Sequence, residues 1–319
     1  MKKIIAITGA TGFIGTKLAL AHLAVGDKVK ILSRRNRVDI ALPDSVQCIQ
    51  GGLQDLAVLA SFVSDVDVLY HCAGEIRDEV KMHSLHVDGT ANLIAAARGK
   101  IGRWVQLSSV GTYGAQRDGV ITERTELNPR GIYEITKLAS DQLVIEASLE
   151  NAFEQVILRP SNVYGSTMSN QSLFSLIKMV KCGWFFYLGK AGASANYIHV
   201  DNVVKALQLC GLIANAKNQI YNLSDYRTLE QFINLIAVGL NVPAPTWRLP
   251  EWLLRLPARW MSKLPKFPLT EARVDALTTR SIYTTEKIER ELGYCHLVSM
   301  EAGLVELVEA YKANQNDKK

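Results

Sequence analysis

The stretch ITGATGFIG, Ile7 to Gly15, closes the apolar run KIIAIT and opens a helical pattern, Phe13 to Ala24. Its glycines, Gly9, Gly12 and Gly15, recur at spacing three between a strand and a helix. In that context each has a mechanical meaning: Gly9 allows the tight turn, Gly12 lets a pyrophosphate approach the backbone, and Gly15 lets helix and strand pack closely. The free amides of the first helical turn then bind the phosphates. The spacing therefore predicts a dinucleotide on Gly9, Thr11, Gly12, Phe13, Ile14 and Gly15.

Outward from this loop, short β-branched runs alternate with longer helical patterns. KVKILS, VQCIQ, DVLYHC, RWVQLSS and FEQVILRP read as strands, and Gln54–Val63, Ser84–Arg98 and Ile132–Leu149 as helices. Strand-helix alternation builds right-handed crossover units on a parallel sheet with both faces covered. The expected fold is α/β: a doubly wound Rossmann domain over residues 1–165, with residues 166–319 a smaller, mainly helical substrate lobe interleaved with it. The polar tail KANQNDKK is expected to fray.

The bulk numbers exclude several classes. The chain has 319 residues, 48% hydrophobic and 21% charged, which argues against disorder and fibre. A net charge of +5 suits small anionic ligands and is too weak for a nucleic-acid binder. Five scattered cysteines without a CxxC pair suggest neither a disulfide framework nor a metal site, so the expected home is the reducing cytoplasm. MKKIIAITG reaches the glycine loop before a leader's apolar stretch develops, and no run approaches the ~20 residues of a membrane span.

The end of the second strand, ILSRRNR, places Ser33, Arg34 and Arg35 where the adenosine ribose would lie. A carboxylate there would bind free ribose hydroxyls, whereas a guanidinium pairs with a 2′-phosphate. The expected cofactor is NADP, with NAD the alternative.

TGATGFIG, YHCAG, VDGTANLIAAA, LSSVGTYG, YEITK, LRPSNVYG and YIHVDNVVKAL together resemble the extended short-chain dehydrogenase/reductase family, of the NAD-dependent epimerase/dehydratase type and its nucleotide-sugar branch. The resemblance implies further cofactor contacts at Leu53, Cys72, Ala73, Gly74 and Lys137. It also implies that Ser109, in the SxxxYG pattern, binds the reacting oxygen, and that Asn162 contacts a substrate diphosphate. Tyr197 and Arg227 are also expected to face the substrate. The chain departs from the family at Gly52, where an acid is common, and at His86, where an Asn commonly stands before VDGT.

Tyr133 and Lys137 are four apart on one face of a helix. A nearby ammonium favours a tyrosine's phenolate and should lower its pKa from about 10 toward working pH. Tyr133 can then exchange a proton with a hydroxyl while hydride moves to or from the nicotinamide, with Ser109 completing the triad. The 4,6-dehydratases of the family carry an Asp-Glu pair directly after the Ser/Thr, where this chain has Val110 and Gly111, and fucose-type epimerisation would want a Cys at Gly111.

What remains is hydride chemistry alone: reduction of a keto sugar, or 4-epimerisation, on a nucleotide sugar. The alternatives are a reductase of an apolar ketone of steroid or flavonoid kind, an epimerase of a lipid-linked sugar, and a non-catalytic dinucleotide sensor. The basic, tryptophan-rich stretch 247–264 reads as lobe helices or as an element resting on an anionic membrane. The family resemblance implies a homodimer, often paired through helices that include the one carrying the Tyr and Lys.

Overall fold

The computed structural model describes residues 2–168, 172–252 and 271–316. The chain runs β1 (Ile4–Thr8), α1 (Phe13–Ala24), β2 (Lys28–Ser33), β3 (Gln47–Gln50), α2 (Leu56–Phe62), β4 (Val66–His71), α3 (Glu79–His83), α4 (Gly89–Ala97), β5 (Ile101–Leu107), β6 (Asp118–Ile121), α5 (Ile132–Leu149) and β7 (Glu154–Pro160). It continues through β8 (Asn162–Tyr164), α6 (Ser172–Lys181), β9 (Tyr187–Leu188), β10 (Ser194–His199), α7 (Val200–Leu212), β11 (Gln219–Leu223), β12 (Asp225–Thr228) and α8 (Leu229–Leu240). The last helix described is Met300–Asn316.

Seven strands pair in parallel in the order β11-β7-β5-β4-β1-β2-β3, with helices on both faces. Ile5 and Ile7 of β1 and Val105 of β5 are fully buried, as a sheet covered on both faces requires. Each such side chain contributes about 1.5–3 kcal/mol over its exposed state. The sequence of connections reverses between β1 and β4, and the crevice opens at the carboxyl ends of those neighbouring strands.

The second half of the chain serves both layers. Val203 and Leu207 of α7 and Tyr221 of β11 join the core of the central sheet, whereas Phe232 and Ile236 of α8 pack with Leu304 and Leu307 in a separate lobe core. A three-stranded sheet, β12-β10-β8, carries the lobe away from the carboxyl end of β7. Gly165, next after β8, packs close to the first domain: a Cβ there would meet Phe13 of α1 at 3.1 Å.

One boundary differs from the sequence reading. The helix expected from Ser84 begins at Glu79, passes through a π-helical turn at Ser84–Asp88, and resumes as α4. The segment RDEVKMHS has too few apolar residues to show helical periodicity, so its start was hidden. Of the tryptophan-rich stretch, Trp247 and Trp252 are exposed, and Arg248 pairs with Glu230 at 2.6 Å. Residues 253–264 lie outside the described residues. Among those described, no helix is long and apolar enough to cross a membrane, and no group of three His, Cys, Asp or Glu side chains could hold a metal ion.

Candidate active site

The glycine loop lies between β1 and α1, and its glycines are where the backbone leaves no room. Gly9 has φ +70°, and a Cβ there would sit 2.6 Å from the carbonyl of Cys72 in the loop after β4. A Cβ on Gly15 would run into the Gly9 carbonyl. The Gly12 amide donates to the Gly9 carbonyl at 3.0 Å, and Gly12 opens α1 with no side-chain cap and no acid in the first turn. The amides of Thr11 to Gly15 thus form an uncapped, positively polarised helix start, which fits a pyrophosphate.

The loop after β4 is tied to β1. The amide of Cys72 donates to the Thr8 carbonyl at 3.2 Å, and the amide of Ala73 to the Thr8 hydroxyl at 3.2 Å. Gly74 is exposed at the rim. Leu53 is buried beneath Gly89, where a Cβ would approach it to 2.9 Å. Ser33 is buried and its hydroxyl accepts from the Arg35 amide at 3.1 Å, which shapes the turn after β2. Arg34 and Arg35 are exposed, and neither forms an ion pair among the described residues. The stem of Arg34 passes Gly52, where a Cβ would lie 3.6 Å from it.

Ser109 follows β5, the strand next to β4, and caps a short 3-10 turn by accepting from the Gly111 amide at 3.0 Å. Helix α5 starts at Ile132, and the Glu134 carboxylate accepts from the amides of Arg130 and Gly131, fixing the first turn that carries Tyr133. Tyr133 faces Ser109, and Lys137, one turn on, is buried and donates to the Leu107 carbonyl at 2.6 Å. Ser109 thus bonds Tyr133, and Lys137 lies near Cys72, whose carbonyl packs on Gly9 of the glycine loop.

The electrostatics differ from the expectation for Tyr133. Desolvation by the surrounding protein pushes the phenol above its ordinary 10.0, the Ser109 hydroxyl partly offsets this, and the Asp141 carboxylate adds to it. Desolvation also pulls the Lys137 ammonium below its ordinary value, opposed by Asp141 and Cys72. Burial outweighs the ion-pairing argument from sequence, so the free protein holds Tyr133 as a neutral proton donor.

Two groups of site residues escaped the sequence reading. Asp141, eight positions after Tyr133 on the same face of α5, is fully buried; it accepts from Ser108 at 2.6 Å and pairs with buried Arg159 of β7 at 3.2 Å. Arg159 also lies over the Tyr113 ring, 5.2 Å from its centroid. The i+8 spacing from Tyr133 was the available signal for Asp141. The second group is a buried polar chain: His71 bonds Thr8 at 2.7 Å and Thr90 at 3.0 Å, and Thr90 bonds Ser140 of α5 at 3.0 Å. Burial pulls His71 down to about 3, so it serves as a neutral connector.

The expected substrate residues gather on the small sheet. Tyr197 pairs in register with both Asn162 and Asp225, and Ala195 with Arg227. Asn162 is exposed and donates to the Asn196 carbonyl at 3.2 Å. Tyr197 stacks on Phe232 at 4.7 Å. Arg227 is held by Asp225 at 2.7 Å and by Glu301 at 3.0 Å.

The pattern of the NAD dependent epimerase/dehydratase family matches residues 5–224, more than half of the chain. The protein belongs to that family and is an NAD(P)-dependent oxidoreductase or epimerase of the short-chain dehydrogenase/reductase type. It is 26% identical over 327 residues to a 4-hydroxy-2-methyl-3-oxo-4-farnesyl-3,4-dihydroquinoline-1-oxide ketoreductase of Stigmatella aurantiaca, covering 97% of each chain. It is 25% identical to a dTDP-glucose 4,6-dehydratase of Streptomyces niveus, covering 98% of this chain and 93% of that one. In structure it is similar to MoeE5 in complex with UDP-glucose and NAD, with TM-score 0.74, 22% identity, and 98% and 99% of the two chains covered.

Proposed function

We propose that this protein interconverts a ketone and an alcohol by hydride transfer, as a keto-sugar reductase or 4-epimerase acting on a nucleotide sugar. The observation that carries the reading is the hydrogen bond between Ser109 and Tyr133 with Lys137 buried one helical turn on, in a chain whose glycine loop opens α1 without a side-chain cap. Bound on that loop, a nicotinamide dinucleotide supplies or takes the hydride. The chain's own residues do the rest. Ser109 donates a hydrogen bond to the reacting oxygen, which orients the carbonyl and stabilises charge developing there. Tyr133, held protonated by desolvation, gives that oxygen its proton as hydride arrives at carbon, a direction suited to reduction. Lys137 anchors α5 to β5 through the Leu107 carbonyl and lies near Cys72 of the loop after β4.

Arg34 and Arg35 support NADP, because two exposed guanidiniums at the end of β2, outside any ion pair among the described residues, suit a 2′-phosphate better than free hydroxyls. Asn162, exposed on β8, supports a substrate lying against the small sheet. Val110 and Gly111, directly after Ser109, offer no side chain for the acid-base elimination of water. Exposed Ile132 and Ile135 at the start of α5 support a homodimer through that helix.

A second reading, reduction of an apolar ketone, is favoured by Arg227, whose guanidinium is already engaged by two carboxylates and so is a poor partner for a diphosphate. One panel separates the two. Purified protein is given a nucleoside-diphosphate 4-keto sugar or an alkyl-chain ketone, each with NADPH and with NADH, and cofactor oxidation is followed. Turnover of the keto sugar supports the main reading, and turnover confined to the alkyl ketone replaces it with the second. Turnover of neither overturns both.

A further inference from the structure

We propose that His86 is a positioning residue that clamps the cofactor-side loop after β4 to the catalytic helix α5, holding the Tyr133 ring in its working place; this rests on the reading of Tyr133 above.

His86 sits in the π-helical turn Ser84–Asp88 and is 1% exposed. Its ring reaches two different elements. Nε2 accepts from the backbone amide of Glu75 at 2.8 Å, immediately after Gly74. Nδ1 bonds the Thr136 hydroxyl at 2.8 Å, and that hydroxyl already donates to the carbonyls of Ile132 at 2.8 Å or Tyr133 at 3.1 Å. The Thr136 oxygen must therefore accept from Nδ1, which fixes the ring as the neutral Nδ1–H tautomer with both nitrogens used. Between these bonds the imidazole meets the Tyr133 ring edge-on, centroids 5.8 Å apart at 80°.

The surroundings hold the ring neutral. Burial and the Lys137 ammonium pull it down to about 4, against the weaker upward influence of Glu75. A protonated ring would turn Nε2 into a donor facing the Glu75 amide and release the loop. Within the loop, the Glu75 carboxylate accepts from the amides of Ile76, Arg77 and Asp78. The His86 side chain thus links this turn to the first turns of α5 through two hydrogen bonds. The π-turn widens the helix at that point, and such turns occur often at functional sites.

The test compares the full-length protein with His86→Phe, which keeps a ring and removes both bonds, and His86→Asn, which has one donor and one acceptor. Hydrogen exchange of the Glu75 amide reads the clamp without any substrate: it should be fast in His86→Phe and protected in wild type and His86→Asn. In the same proteins, kcat for the ketone turned over should fall about tenfold or more in His86→Phe, the loss expected of a misplaced catalytic group, while KM for the ketone holds. His86→Asn should restore most of kcat. Equal exchange in all three proteins overturns the clamp, and unchanged kcat in His86→Phe with faster exchange overturns the positioning role. Tyr133→Phe is run alongside: if it turns over at the wild-type rate, the reading of Tyr133 fails, whatever the exchange data say of His86.

Discussion

At the scale of single residues, the site is a contest between desolvation and charge. Tyr133 and Lys137 were legible as a pair because four residues make one helical turn. The direction of the Tyr133 shift was not, because it depends on how much protein surrounds the phenol, and no spacing reports that. Arg34 and Arg35 are a simpler case: exposed, outside any ion pair of the described residues, and placed by the Ser33 turn. Arg34→Ala should weaken NADPH binding about tenfold while leaving NADH within twofold of wild type, roughly the loss of one charge-assisted contact to phosphate. Titration of the two cofactors by fluorescence checks it, and equal losses would remove the preference for NADP.

At the scale of elements, α5 is joined to the sheet by polar contacts that few sequence signals announce. Asp141 binds Ser108 after β5 and Arg159 on β7, so one carboxylate joins three elements. Its partner lies 18 positions away, beyond any local periodicity. Asp141→Ala would leave the Arg159 guanidinium, 1% exposed, without its counter-charge, at a cost of about 3–5 kcal/mol in unfolding free energy. Urea unfolding measures this, and a loss under about 1 kcal/mol would show the pair to be dispensable. The glycine loop is the opposite case: Gly9 and Gly15 announce their geometry in sequence because only glycine fits, and α1 spans the Phe13–Ala24 that the pattern predicts.

At the scale of the whole molecule, the parallel sheet was legible from strand-helix alternation, and the family pattern spans the same region. The return of α7 and β11 to the central sheet was less so, since short strands in the second half give no sign of which sheet they join. Two buried neutral histidines give the fold an acid weakness. His71 and His86 are held at about 3 and about 4, against an ordinary 6.5, so below pH 6.5 the unfolded chain binds protons that the native chain refuses. Stability is therefore full above about pH 6.5 and falls as pH drops toward 4, by about 1.4 kcal/mol per unit for each histidine. Urea midpoints across that window should show a steeper slope in wild type than in His86→Asn; identical slopes would show that His86 titrates normally.

The central claim is that Tyr133 passes the proton that accompanies hydride transfer. Removing one oxygen tests it most directly: single-turnover reduction of the accepted ketone by wild type and Tyr133→Phe, with cofactor affinity measured on both. The account predicts a loss of about 10²–10⁴-fold in the transfer step with cofactor binding unchanged. A Tyr133→Phe protein that transfers hydride at the wild-type rate would contradict it.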